Sequence, residues 1–208
     1  MYTLLKPIHV RKELLKRNMC IFRAQDFMRI FNTSSHTTKY FLETQVQQDF
    51  LQRLKRGIYM LKTDPPSEEE IANALYKPSY ISFEYALAYY HILLEMPYIL
   101  TSATTKPTRL FTTSHASFSY KTIKKEAFTG YSLVKQAQRS FLMAEKEKAL
   151  VDYLYFVSLR KSPHYERLFA NLKDRNYYRI KTLNREKINM YTKLFENKQL
   201  LNLVNFLL

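Results

Sequence analysis

The sequence predicts an α+β protein of two domains, on three observations. Apolar residues recur at helical spacing through the first fifty positions and give way to two β-runs around a glycine; adjacent prolines interrupt the chain at Pro65 and Pro66; short runs rich in Thr, Tyr, Phe and Ile then lead back into helical periodicity. The expected parts are a small N-terminal domain over residues 1–62 and a C-terminal mixed α/β domain over 67–208, with a small sheet and packed helices.

At 208 residues, 46% hydrophobic and 25% charged, the chain is long enough to bury a sizeable core. Its glycines are Gly57 and Gly130, too few for a dinucleotide fingerprint, a phosphate-cradling P-loop or a nucleophile elbow. Cys20 is its single cysteine, which rules out an internal disulfide and suits a reducing compartment; a small buried apolar role is expected for it. Charge-free stretches such as 110–120 fall well short of the roughly 18 residues a membrane span requires. Residues 1–17 lack the apolar core of a signal peptide, so cytoplasmic residence without membrane association is expected.

The net charge of +15 is unevenly placed. Residues 1–62 carry 12 basic and 4 acidic side chains, residues 63–120 carry 3 and 6, and 121–161 and 162–208 carry 9 and 4 each. A solvated basic surface accounts for such an excess, and so does an anionic partner, most often nucleic acid.

In the first domain, Val10, Leu14 and Leu15 share one face of a helix over 10–19, and Phe27, Ile30 and Phe31 share one face of a second over 23–31. Asn32-Thr33-Ser34-Ser35 supplies a turn and a capping hydroxyl for a third helix, in which Phe41 and Leu42 face the core. Runs over 50–54 and 58–61 form a hairpin through Lys55-Arg56-Gly57. Three helices and a basic hairpin follow the order of a winged helix-turn-helix, an order that protein-binding modules also use. As a DNA-binding module it presents Ser34, Ser35, His36, Thr37, Lys39 and Tyr40 on the third helix, and Arg53, Lys55 and Arg56 on the wing.

Beyond the prolines, Ser67-Glu68-Glu69-Glu70 has the form of a capping box, which explains its acids without catalysis. A helix over 82–94, strands over 98–103, 109–113, 118–123, 128–134 and 141–144, and a helix over 145–159 follow. On the last helix Leu150, Tyr153, Leu154 and Val157 form an apolar stripe, with Glu145, Lys148 and Asp152 at i+3 and i+4 spacing. That trio reads as a salt-bridge ladder, or, with Glu147, as a nuclease cluster in which Glu145, Glu147 and Asp152 hold a divalent cation and Lys148 steadies a phosphate. The tail from Pro163 onward reads as packed helices ending in an apolar helix docked on its own domain. Its basic residues Arg167, Lys173, Arg175, Arg179, Lys181, Arg185 and Lys187 interleave with Tyr177 and Tyr178, a composition that suits RNA or DNA.

Three segments carry a family resemblance: residues 52–59 (Gln-Arg-Leu-Lys-Arg-Gly-Ile-Tyr), residues 80–91 around Ser82, Ala86 and Leu87, and residues 144–152 (Ala-Glu-Lys-Glu-Lys-Ala-Leu-Val-Asp). In order and spacing they resemble the AbiEi antitoxins of type IV toxin–antitoxin, or abortive infection, systems, over residues 23–157. The chain departs from that family in carrying Tyr90-His91-Ile92 where His-Gly is frequent, and Tyr85 where a small residue is frequent. The resemblance implies a phage-defence protein without enzymatic activity, catalytic residues, metal or cofactor. Its winged helix would repress its own operon at inverted repeats in promoter DNA. Its C-terminal domain would counter a nucleotidyltransferase-like toxin without a stable complex. It also implies that Ser82 caps a helix, that Ala86 and Leu87 pack, and that Glu145, Lys148 and Asp152 tie their helix in place. A metal-dependent nuclease and a nucleic-acid or protein interaction module are the alternatives.

Overall fold

Pro7 has the fixed φ and missing N–H that a first helical turn accommodates, and helix α1 spans Pro7–Lys16 with Val10 and Leu14 buried. The computed structural model describes residues 5–113, 116–136, 139–159 and 179–208. After α1 come a short strand β1 (Ile21–Arg23), helix α2 (Ala24–Ile30), helix α3 (Ser35–Gln47) and the hairpin β2 (Leu51–Lys55) and β3 (Ile58–Leu61). β1 is an element the periodicity does not predict. It pairs antiparallel with β3, which lies between β1 and β2, and every residue of β3 is buried. Phe27 stands at the centre of this core, its ring centroid 5.7 Å from Phe22, 4.5 Å from Phe31 and 5.4 Å from Phe41.

The chain divides at Leu75/Tyr76 into two compact units. The first therefore extends past the break expected at the prolines and includes helix α4 (Glu68–Leu75). Directional bonds account for this. Arg11 grips Asp64 with two parallel donors, Nε to Oδ2 at 2.7 Å and Nη2 to Oδ1, fastening the segment before the prolines to α1. Lys55 Nζ donates to the carbonyl of Leu75, the last residue of α4. The capping box forms as expected: Glu70 N donates to Ser67 Oγ at 3.3 Å and Ser67 N to Glu70 Oε2 at 3.0 Å.

The second unit is built on a six-stranded mixed sheet. Its strands are β4 (Ser79–Ile81), β5 (Ile99–Thr104), β6 (Arg109–Thr112), β7 (Ser117–Thr122), β8 (Tyr131–Gln136) and β9 (Arg139–Ala144), in the spatial order β6-β7-β5-β4-β9-β8. β5 and β7 run parallel, as do β4 and β9, and the other neighbours are antiparallel. Helices α5 (Phe83–Tyr89) and α6 (Lys146–Leu159) pack together, and α7 (Arg185–Lys193) and α8 (Lys198–Leu207) pack on α6. Enclosed in this way, α6 is buried from Lys148 to Leu154, not only along the expected stripe. The C-terminal helix docks as expected, with Leu200, Val204 and Leu207 buried. The described protein is thus α+β. Among the described residues, no helix is long and apolar enough to cross a membrane.

With two glycines available, helix ends are made differently from the usual glycine stop. α1, α2, α3 and α5 each run into a left-handed residue that is not glycine: Asn18, Asn32, Asp49 and His91, with φ of 53°, 47°, 62° and 58°. In each case the next N–H reaches back to the helix: Met19 to Leu14, Thr33 to Met28, Phe50 to Gln45 and Ile92 to Leu87. These are Schellman closures, and the short polar side chains of Asn and Asp tolerate the conformation best. The glycines serve tighter places. Gly57, at φ +77°, turns the β2–β3 hairpin next to a bulge between Arg53 and Lys55, and a Cβ there would meet nothing within 4 Å. Gly130, at φ +73°, lies against Tyr191, where a Cβ would stand 2.6 Å from the ring.

Two substitutions test this account in opposite directions. Gly130→Ala is expected to lower the stability of the chain more than Gly57→Ala, because it adds a collision to the roughly 1–2 kcal/mol backbone cost that both share. His91→Gly should raise stability by about 1 kcal/mol. Urea unfolding midpoints at equal m-values measure all three.

Candidate nucleic-acid interface

The third helix begins where Ser34 places a hydroxyl over the open N–H groups of the first turn. Ser34 Oγ accepts from Thr37 N at 3.1 Å and bonds the Thr37 hydroxyl at 2.9 Å. A four-residue turn, 31–34, joins α2 to this cap, and Thr33 and Thr38 close it through hydroxyls 2.7 Å apart. Thr38, Phe41, Leu42 and Gln45 then face inward, so 3.6-residue periodicity turns Ser35, His36, Lys39 and Tyr40 outward. Tyr40 is 69% exposed, a large aromatic surface left open on a helix whose core contacts are already made. Two further exposed residues, Glu43 and Gln47, continue the same face. Periodicity extended by three turns from His36 would have found both.

The hairpin supplies the neighbouring cations. Arg53 and Arg56 are exposed, and neither has a carboxylate partner among the described residues. Arg23 of β1 is also exposed, opposite Ile58 in the register and so at the turn end of the sheet. No sequence signal marked Arg23, because its position depends on a strand that forms only by pairing with β3. Lys55 goes elsewhere. Its ammonium caps the carbonyl end of α4 at Leu75, an engagement that no spacing in the sequence signals. Ser34 and Thr37 are likewise engaged with each other. Of the nine expected site residues, Ser35, His36, Lys39, Tyr40, Arg53 and Arg56 present their side chains outward without such engagements among the described residues.

In the second unit the acidic trio separates. Asp152 and Lys148 are both 0% exposed and paired, and the carboxylate also accepts from Ser82 Oγ at 2.7 Å and from Tyr80 O–H at 3.0 Å. Lys148 Nζ stands 4.7 Å above the Phe195 ring and 5.8 Å from that of Tyr80. Burial pushes the Asp152 carboxyl up and the Lys148 ammonium down, while their mutual attraction and the two hydroxyl donors favour the charged forms. Burial likewise pushes the Tyr80 hydroxyl up, and the Asp152 charge adds to it. Glu145 instead accepts from Lys187 Nζ at 2.7 Å and Tyr191 O–H at 3.3 Å, and Glu147 from the backbone N–H of Asn184 at 3.1 Å. The cluster Glu145, Glu147 and Asp152 is therefore not assembled, and among the described residues no group of three His, Cys, Asp or Glu is placed to hold a metal ion.

Ser82 occupies the N-cap position of α5, yet its side chain makes no capping bond there, because the hydroxyl is directed to Asp152. Thr101 of β5 takes over, accepting from Tyr85 N at 3.2 Å and donating to the Ser82 carbonyl at 2.7 Å. Ala86 and Leu87 are buried, as the resemblance implies. Cys20 is free and half-buried rather than enclosed, and burial raises its thiol above the usual value. Of the basic tail, Arg179 donates to the His91 carbonyl, Arg185 to that of Leu208 and Lys187 to Glu145. Arg167, Lys173, Arg175, Tyr177 and Tyr178 lie outside the described residues.

No protein-family model matches the chain, and no curated protein matches it.

Breaking the buried pair should be costly and removing it whole should not. Asp152→Asn or Lys148→Met alone is expected to lose about 3–5 kcal/mol, because a desolvated charge is left without its partner. The double variant Lys148→Met/Asp152→Leu should lose clearly less than the two single losses added together. A double-mutant cycle by urea unfolding gives the coupling, and additive losses would refute a shared buried network.

Proposed function

We propose that the chain is a DNA-binding antitoxin of the type IV kind. Its N-terminal unit would act as a winged helix-turn-helix that represses its own operon, and its C-terminal unit would counter a nucleotidyltransferase-like toxin. The observation that carries the DNA-binding part is the outward face of α3, with His36, Lys39 and Tyr40, together with a hairpin whose Arg53 and Arg56 lack carboxylate partners among the described residues. The order α1-β1-α2-α3-β2-β3, with β1 completing a three-stranded antiparallel sheet, supports the same reading. The antitoxin part is supported by the three segments that resemble AbiEi proteins.

The division of labour follows from side-chain chemistry. Arg53 and Arg56, with Arg23 beside them, are long exposed cations suited to phosphates, which fix position without reading sequence. His36, Lys39 and Tyr40 carry donors and an apolar ring to base edges in the major groove. Ser34 and Thr37 hold the helix start and thereby set the angle at which it is presented.

Binding to a fragment from upstream of the chain's own gene, against scrambled DNA across a salt series, tests the reading. Arg53→Ala/Arg56→Ala should weaken binding to every sequence and reduce the salt slope by about 0.9 per lost phosphate contact. His36→Ala or Lys39→Ala should change the preference between sequences by about 1–3 kcal/mol where a base contact is lost. Lys55→Ala should leave the slope unchanged. Indifference of DNA affinity to the arginine pair and to both α3 variants would sink the proposal.

A further inference from the structure

The second unit carries its own cationic edge, made independently of the α3 surface. Between Met96 and Lys125 the sequence has no Asp or Glu but five cations: Lys106, Arg109, Lys121, Lys124 and Lys125. Lys121 is neutralised by Glu84 at 2.8 Å, and Lys124 by Glu196 at 3.4 Å. Lys106 and Arg109 are exposed and have no carboxylate partner among the described residues. Arg109 opens β6, which is the outermost strand of the sheet, and Lys106 lies in the turn before it.

Aromatic rings hold both cations. Lys106 Nζ stands 5.6 Å from the centroid of Tyr76, and the Arg109 guanidinium stands 5.9 Å from Tyr76 and 5.8 Å from Phe111. The rings are themselves fixed. Tyr76 donates its hydroxyl to the Pro107 carbonyl at 3.1 Å, and Tyr76, Phe111 and the fully buried Tyr120 form a mutual cluster at centroid separations of 5.2–5.7 Å. Exposed Lys77 follows Tyr76 directly in the chain. A guanidinium laid on aromatic faces keeps its edge donors available, and part of the entropy of ordering it is already lost on folding.

We propose that Lys106 and Arg109, mounted on Tyr76 and Phe111, form a second nucleic-acid contact that grips a phosphodiester backbone. The two cations sit on and just before an exposed edge strand, so a small phosphate would gain only two screened contacts there. A polymer with phosphates at regular spacing gains from each in turn and releases counterions as it does so. Cations interleaved with aromatics on a strand edge suit such a chain, since half-buried Tyr76 and Phe111 can also meet a base. The inference does not depend on the winged-helix reading.

The test uses the full chain carrying Arg53→Ala/Arg56→Ala, so that binding by the first unit is already weakened. Lys106→Ala/Arg109→Ala is added, and salt dependence is measured on a single-stranded RNA 20-mer, a non-operator DNA duplex and dextran sulfate. Loss of about 1.4 in the salt slope on the single strand, or about 1.8 on the duplex, supports the contact and says which form it grips. The exchange Lys106→Arg/Arg109→Lys should retain the slope, which separates lost charge from a lost fold. An unchanged slope on both nucleic acids overturns the proposal, and so does an equal loss on dextran sulfate, which would mark a general polyanion surface. Either result leaves the operator-binding test of the α3 face standing by itself.

Discussion

The carboxylate of Asp152 is the point on which the second unit is hung. It accepts from Lys148 one turn before it on α6, from Tyr80 on β4 and from Ser82 at the entry to α5, so a single side chain joins a central strand and two helices. Lys148 extends the join by lying over the ring of Phe195, just after α7. Such a group is expensive to bury alone and tolerable only when every lone pair is used, which makes the arrangement intolerant of alternatives. The same demand explains why Ser82 gives up capping α5 and why Thr101 reaches over from β5 to replace it.

In the first unit the comparable constraint lies in an aromatic core small enough to fix three helices and three strands around Phe27. Once Thr38, Phe41, Leu42 and Gln45 are turned inward, the outward orientation of His36, Lys39 and Tyr40 follows from helical geometry. The polar surface of α3 is therefore a consequence of its packing. Arg53 and Arg56 stay outward for a different reason: the bulge and Gly57 turn the hairpin so that Leu54 and Ile58 are taken into the core while the arginines are not. Lys55, placed between those two arginines in sequence, faces the end of α4 and is claimed by an open carbonyl.

The scarcity of glycine shapes both units. Left-handed helix ends fall on Asn18, Asn32, Asp49 and His91, each stabilised by a backward bond from the next residue. Gly130 is kept where Tyr191 leaves no room for a Cβ, so the placement of α7 and the identity of residue 130 are linked.

Local chemistry was legible in the sequence by itself. The capping box of Ser67 and Glu70, the Asn32–Ser35 turn into α3, the hairpin at Gly57 and the amphipathic C-terminal helix all arise from interactions within a few residues, and they form where expected. The outward residues of α3 were legible for the same reason. Tertiary structure decided what depends on partners distant in sequence. Strands β1 and β4, of three residues each, exist because they pair with β3 and with β5 and β9, and neither carries enough residues to show a period of its own. Asp64 holds the proline segment to α1 across 53 positions, which moved the boundary to Leu75. The pairing of Asp152 with Ser82 and Tyr80 spans 70 and 72 positions, and no spacing rule on α6 could separate it from Glu145. A helix face is set by the next turn, whereas the partner of a buried charge is set by whatever the fold brings to it.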